Sequence, residues 1–344
     1  MIPVQNIYYM LAYAFQVLNE AGYKQLATEQ FHNVADLCAA ILERGVSLQI
    51  KRGLMREYLP MWEQLSTLKG RIDITESLKR QSMLRQQMVC TYDEYTENAY
   101  LNRILKTTLS LLLKADISQE RKKCLRKVLL FFRDIDDLDI HIIEWQQHFN
   151  RSNQTYQMLI SICWLVVKGL LQSNSDGTTR LMDFLDEQRM CRLYEKFILE
   201  YYRKEHRELQ ADASQIPWVL DDGIGEMLPV MQSDITLKMG TTILIIDAKY
   251  YARTTQEQYD THTLHSGNLY QIFTYVKNTE ARLHNQQHNV SGMLLYAQTD
   301  EAVQPNHSYS MSGNKVTVRT LNLNQSFDRV SQALDQIVVE HFSV

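Results

Sequence analysis

The sequence predicts two successive domains: a mainly helical one with small β-hairpins over residues 1–175, then an α/β domain over 176–344 with a mixed sheet flanked by helices. Three observations predict it. A chain of 344 residues exceeds the size at which a single core usually stops growing. Apolar residues recur at helical spacing through most of the first half, whereas the second half runs helix–strand–strand–strand–helix–strand. Between the halves lies Ser173-Asn174-Ser175-Asp176-Gly177-Thr178-Thr179, the most turn-rich stretch of the chain.

Val4, Ile7, Tyr8, Leu11, Ala14, Phe15 and Leu18 recur at helical steps, and Pro3 suits a first turn, so the chain opens with an amphipathic helix. Phe31, Val34, Leu37, Cys38, Ile41 and Leu42 predict a second helix, ending near Arg44-Gly45. Val46, Leu48 and Ile50 then alternate with polar residues, and Arg52-Gly53 turns the chain. Leu54, Arg56 and Tyr58 continue the two-residue period, and Gly70-Arg71-Ile72-Asp73-Ile74 reads as another strand. Residues 46–75 are therefore expected as β-hairpins projecting from the helical body. Helices follow at about 97–114, 119–132 and 154–172. Beyond the boundary, Leu193, Phe197, Ile198 and Tyr201 mark a helix. Strands are expected near 217–220, 232–237 and 242–249, a helix at 266–281, strands at 291–297 and 315–323, and a closing helix at 326–342.

Composition narrows the function classes. With 45% hydrophobic and 22% charged residues, the chain is ordinary for a globular protein. The net charge of -4 and pI near 6.2 disfavour a protein that grips nucleic acid through its whole surface. Any DNA contact then needs a local basic surface or a partner. The five cysteines form no C-x-x-C unit and are odd in number, which fits a reducing cytosol and argues against structural zinc. Met1 to Glu20 lacks a basic leader and a small-residue cleavage site. The longest apolar stretch, Met158 to Leu171, is interrupted by Ser161 and Lys168, so no membrane span is expected. The expectation is a soluble, cytoplasmic protein. No Gly-rich Walker loop occurs, so this chain is expected to bind no nucleotide.

The chemistry concentrates in two neighbouring segments. Ile243-Leu244-Ile245-Ile246 reads as a strand buried on both faces, and it ends in Asp247-Ala248-Lys249. Asp/Glu-x-Lys alone is weak evidence, because roughly one arises by chance in a chain of this composition. Glu120-Arg121-Lys122 is such a case, on a solvated helical stretch. Context separates the two. A buried strand ending in Asp and Lys places ionisable groups where desolvation costs most, so both need partners. Asp234 opens the preceding alternating strand, and a turn at Lys238-Met239-Gly240 brings it beside Asp247. Asp234, Asp247 and the Ala248 carbonyl would make an all-oxygen site of the type Mg²⁺ prefers. Lys249 shares the face of Asp247 and can polarise a water or steady charge developing on a phosphate. The bland alternative is a buried Asp247–Lys249 ion pair with Asp234 unrelated.

Other residues support the site less directly. Gln271 and Tyr275 stand one helical turn apart, so their polar tips share a face, although Tyr275 also suits a core position. Glu195, like Glu200, lies on the helix that opens the domain and can reach the metal, though such a glutamate is more often solvated. The pairs His262 and His265, and His284 and His288, lack the accompanying Glu or Cys of a zinc site and read as surface residues.

Asp234, then Asp247-Ala248-Lys249 closing an apolar strand, then Gln271-x-x-x-Tyr275, resembles the RecB-type branch of the PD-(D/E)xK nuclease superfamily, with Ser233 where proline often stands. The run Ile2-Pro3-Val4-Gln5-Asn6-Ile7-Tyr8-Tyr9-Met10-Leu11-Ala12-Tyr13-Ala14 is more specific. With Lys69-Gly70-Arg71-Ile72-Asp73, Glu97 through Asn102-Arg103-Ile104-Leu105-Lys106, Asp247-Ala248-Lys249-Tyr250-Tyr251 and Asn268-Leu269-Tyr270-Gln271, it is similar to the McrC family, the nuclease subunits of McrBC modified-cytosine restriction systems. The resemblance implies a restriction-endonuclease-like fold and Mg²⁺-dependent DNA cleavage. It also implies an McrB-like AAA+ GTPase ring as partner, docking through the N-terminal domain, stimulation of that partner's hydrolysis, double-stranded DNA with modified cytosine as substrate, and dimerisation for double-strand cleavage. Arg52, Arg56, Lys69 and Arg71 give the hairpin region local positive charge and make it the candidate docking surface. Two other readings remain open on the residues: a RecB-like repair exonuclease or resolvase acting without an NTPase, and a non-catalytic docking adaptor.

Overall fold

The computed structural model describes residues 2–15, 18, 23, 26, 29–150, 153–173, 187–251, 255–258, 261–285, 287–301 and 303–342. The chain divides into two compact units, residues 1–31 with 185–344, and residues 32–184. The opening helix α1 (Val4–Ala14) thus folds with the C-terminal half, and not with residues 32–175 as expected. The reason is tertiary. The helix buries Ile7, Tyr8, Met10, Leu11 and Ala14, and its Asn6 amide donates to the carbonyls of Leu323 at 2.8 Å and Gln325 at 2.7 Å. The Tyr9 ring stacks on Phe327 at 4.4 Å. The boundary expected at 175/176 lies outside the described residues.

In the unit 32–184, α2 (Val34–Arg52) starts at Asn33, whose side chain accepts from the Asp36 N–H. The helix does not stop near Gly45. Ile41, Leu42, Gly45, Val46 and Gln49 are all buried, which is helical and not alternating spacing, and burial of that stripe outweighs the propensity cost of the mid-helix glycine. Gly53, at φ 92°, ends it instead. The expected strand over 46–50 is therefore helix, and Arg52 sits at a helix end. The β structure begins later, with β1 (Glu57–Leu65), β2 (Arg71–Ile72), the short helix α3 (Ile74–Lys79) and β3 (Met88–Thr96). They form one antiparallel sheet in the order β1-β3-β2, so the structure replaces hairpins at 46–75 with a sheet spanning 57–96. Gly70 makes the entry to β2 at φ 68°, where a Cβ would lie 2.4 Å from the Thr91 carbonyl oxygen. Then α4 (Tyr100–Leu112), α5 (Gln119–Leu129) and α6 (Gln154–Ser173) join α2 around Leu37, Ile41, Ile104, Leu109, Leu125, Leu159 and Val166.

The other unit continues with α7 (Glu187–Glu205), β4 (Gln210–Asp212), β5 (Gln215–Ile216), β6 (Met231–Gln232), β7 (Ile235–Met239) and β8 (Thr242–Lys249). It closes with β9 (Thr255–Gln258), β10 (Thr261–Leu264), α8 (Ser266–Arg282), β11 (Asn289–Ala297), β12 (His307–Met311), β13 (Asn314–Leu321) and α9 (Phe327–Phe342). The main sheet is six-stranded in the order β12-β13-β11-β8-β7-β4. Its centre, β8-β11-β13, is parallel and its edges are antiparallel, which is the mixed sheet the sequence predicts. The expected strand at 217–220 is absent. Pro217 has no N–H to give, the Trp218 indole donates to Pro229 O at 2.7 Å, and the Val219 N–H donates to Asn278 Oδ1 at 2.9 Å. On one face, Ile243, Ile245, Leu294, Tyr296, Val316 and Val318 pack against Ile272, Tyr275 and Val276 of α8. Gly292 allows that approach, since a Cβ there would lie 2.8 Å from Ile272 and Val276 side-chain atoms. Among the described residues, no helix is long and apolar enough to cross a membrane.

Candidate active site

Local hairpin geometry builds the site. β7 and β8 pair antiparallel with Ile235 opposite Ile246, so continuing the register sets Asp234 opposite Asp247. The turn is the two residues Gly240-Thr241, with Gly240 at φ 57°, one step later than the sequence suggests. The Asp234 carboxylate then bends over the strand end, and its Oδ2 accepts from the Ala248 N–H at 2.9 Å. Lys249, two residues past Asp247, places its ammonium 2.9 Å from Asp247 Oδ2.

Asp247 is completely buried. Neither of its oxygens receives a well-aligned hydrogen bond, although the Lys249 ammonium lies within contact of one. A buried carboxylate short of donors is costly unless something else fills its lone pairs. Burial pushes the Asp247 carboxyl up to about 7; Lys249 opposes that rise and Asp234 adds to it. Asp234 is raised by burial, against the pull of Lys249 and the Ala248 N–H. Burial works to lower the Lys249 pKa, but the two carboxylates outweigh it and the ammonium is held protonated. Glu195, half-buried on α7, is raised by burial and by the charge of Asp234, and accepts from the Cys191 thiol at 3.0 Å. Glu200 instead pairs with Arg203 at 2.7 Å.

The residues fit a hard divalent cation. Among the described residues, no three His, Cys, Asp or Glu side chains are grouped to hold a metal ion, so Glu195 does not join Asp234 and Asp247 in a three-carboxylate shell. Two carboxylates and a backbone carbonyl are the partial shell that Mg²⁺ accepts, because it keeps several waters and completes its octahedron with substrate oxygens. The under-bonded Asp247 is the observation that favours this fit.

Gln271 Nε2 donates to Tyr275 Oη at 2.9 Å, so the two tips meet as predicted. Tyr275 belongs to the core under α8, and the described contact of Gln271 is with Tyr275 and not with Asp247 or Lys249. His265 immediately precedes α8 with its ring 5.4 Å from that of Tyr251, and the His284 ring lies 2.9 Å from Ala281 O. The side chain of His262 lies outside the described residues. The second Asp/Glu-x-Lys, at 120–122, is on α5, where Arg121 lies 3.6 Å from Glu43. Of the basic docking candidates, Arg56 is bonded to Glu97 at 2.8 Å and Lys69 sits 3.7 Å over the Tyr92 ring. Arg71 lies in β2 opposite Thr91. Sequence reasoning missed Asn268, which stands three residues before Gln271 on the same helix face, and Tyr296, a polar tip closing an apolar strand. Those two spacings were the available signals.

Residues 4–297 match the family described as McrBC 5-methylcytosine restriction system component. The chain belongs to this family. It is similar to the type IV methyl-directed restriction enzyme EcoKMcrBC of Escherichia coli (strain K12), 31% identical over 354 aligned positions that cover 99% of this chain and 98% of the relative. Its fold is similar to a chain of the Thermococcus gammatolerans half-complex of McrB AAA+ hexamers with bound McrC, at a TM-score of 0.52, 14% identity, and coverage of 97% and 76% of the two chains. For this McrBC family member, the α/β character and mixed sheet expected from sequence therefore stand.

Proposed function

We propose that this McrBC family chain is the DNA-cleaving, McrC-type subunit of a motor-driven restriction complex, a Mg²⁺-dependent PD-(D/E)xK endonuclease whose site is Asp234, Asp247 and Lys249. One observation carries the reading: the wholly buried, under-bonded Asp247, set opposite Asp234 and in contact with Lys249 at the end of a central strand. Evolution tolerates such a carboxylate where it holds something. When bound there, Mg²⁺ supplies Lewis acidity toward the phosphate and a more acidic water.

The chain's own groups do the rest. Asp234 and Asp247, with the Ala248 carbonyl, are the residues that would hold the cation. Asp234 is itself aligned by the Ala248 N–H. Lys249, kept protonated by the two carboxylates, donates to a phosphate oxygen and offsets the charge that grows on it in the transition state. That assigns it electrostatic stabilisation and not proton abstraction. Glu195 on α7 is near enough to feel the charge of Asp234. The expected partner is an McrB-like AAA+ GTPase ring, and the expected substrate is double-stranded DNA with modified cytosine. The relative's methyl-directed restriction and the McrB-bound fold neighbour support both. The three-stranded sheet of residues 57–96 and the adjoining Arg52 are the proposed docking surface, with dimerisation serving double-strand cleavage.

The test is cleavage of methylated duplex DNA by the chain with its AAA+ partner, GTP and Mg²⁺. Asp247→Ala is expected to abolish cutting while partner binding and stimulation of GTP hydrolysis persist. Retained cutting would defeat the site assignment.

A further inference from the structure

Beside the proposed catalytic groups runs a buried chain of polar contacts that the cleavage scheme leaves unused. Tyr296 on β11 is the register partner of Lys249 on β8, just as Leu294 is the partner of Asp247. In a parallel pair, register partners point to the same face, so Tyr296 flanks Lys249 on the face that carries Asp247. Tyr296 is entirely buried. Asn268, on the first turn of α8 and also buried, donates from Nδ2 to the Tyr296 hydroxyl at 2.9 Å. The Tyr251 hydroxyl in turn donates to Asn268 Oδ1 at 3.3 Å. The Asn268 amide is thereby oriented from both ends, its carbonyl filled by one tyrosine and its N–H used by the other.

We propose that Tyr296, locked by Asn268, is a positioning residue that holds Lys249 against Asp247. The proposal rests on the nuclease reading above for its catalytic consequence. The physical need is plain, because a lysine stem has many rotamers and loses the Asp247 contact whenever it swings away. A tyrosine ring fixed on the neighbouring strand removes that freedom from one side. The Tyr296 oxygen accepts from Asn268, and the charges of Asp247 and Lys249 both act on that hydroxyl, which places it beside the pair without a bond to either Asp247 oxygen. Asn268 and Tyr251 thus act through Tyr296, and Tyr296 acts through Lys249. Asn268 belongs to the segment Asn268-Leu269-Tyr270-Gln271, whose asparagine otherwise has no assigned task.

Two readouts test this. In the full chain assembled with its AAA+ partner, Tyr296→Phe and Asn268→Ala are each expected to lower kcat for DNA cleavage by about 10- to 100-fold, with KM for DNA unchanged. The double variant should lose no more than the worse single one, because both substitutions break the same bond. A wild-type kcat, a changed KM or multiplied losses would each overturn the proposal. The second readout needs no activity. Acylation of lysines followed by mass spectrometry should show Lys249 labelled several-fold faster in both variants of the metal-free chain, with labelling of Lys196, Lys204 and Lys315 unchanged. Unchanged Lys249 labelling would overturn the positioning role whether or not the enzyme cuts. Faster labelling in a chain whose wild type fails to cleave would uphold the positioning role and overturn the nuclease reading instead.

Discussion

Replacing Asp247 by asparagine should make the metal-free protein more stable while it destroys the site. Burial raises the Asp247 carboxyl from its ordinary value of 3.8 to about 7. Folding therefore favours the protonated form, and this group's contribution to stability falls as pH rises from about 4 to about 7, then stays at its lowest. At pH 8 the full penalty applies. Three pKa units at 1.36 kcal/mol each give about 4 kcal/mol. The attraction of Lys249 is already contained in that shift, but a buried asparagine amide carries its own desolvation cost, and taking about half for it leaves roughly 2 kcal/mol in favour of asparagine. The Asn amide also donates to Asp234, where the carboxylate repels it. For a unit of roughly 190 residues, this corresponds to a rise of about 4–8 °C in melting temperature. The assay is scanning calorimetry at pH 8 with EDTA, repeated in Mg²⁺. The wild type should gain stability from Mg²⁺ and Asp247→Asn should not. If the variant melts at or below the wild type in EDTA, Asp247 is not a strained, ligand-seeking carboxylate.

The remaining predictions follow from the same geometry. Mg²⁺ affinity measured calorimetrically should weaken about tenfold from pH 8 to pH 6, with proton release on binding, because the Asp247 carboxyl at about 7 must lose its proton to ligate; a flat profile would contradict this. Gly70→Ala pushes a Cβ into the Thr91 carbonyl at φ 68° and should cost the unit 32–184 about 2–4 kcal/mol. It should abolish stimulation of the partner's GTPase and leave Mg²⁺ stabilisation of the other unit intact. Asn6→Ala strands two carbonyls bonded at 2.7 and 2.8 Å and should cost the unit 1–31 with 185–344 about 2 kcal/mol, seen as a lower melting temperature of that unit alone.

Much of the site is legible in the residues themselves. The apolar run 243–246 reads as a buried strand, and in that conformation Asp247 and Lys249 at its end share a face by the two-residue period. Asp234 follows from the hairpin, since a short turn leaves little freedom in where the preceding strand returns. The helices at 100–112, 119–129, 154–173, 266–282 and 327–342 are legible because each carries its apolar stripe within itself. Misreadings arise where local pattern and long-range burial disagree. Val46, Leu48 and Ile50 alternate along the chain, yet burial of Leu42, Gly45, Val46 and Gln49 carries α2 through to Arg52. β3 escapes sequence reasoning because Asp93, Glu94 and Tyr95 are exposed in succession, which hides the two-residue period, and pairing with β1 and β2 makes it a strand.

What the sequence by itself determined was the chemistry and the local scaffold: an Asp–Ala–Lys strand end, a second Asp across a hairpin, and two units of different character. Tertiary structure alone decided that α1 completes the C-terminal unit, that Asp247 is buried and under-bonded, and that Asn268 and Tyr296 meet beside Lys249. Periodicity reports which residues prefer to be inside. It carries no information about which distant segment covers them, and the energy of a buried charge depends on that covering.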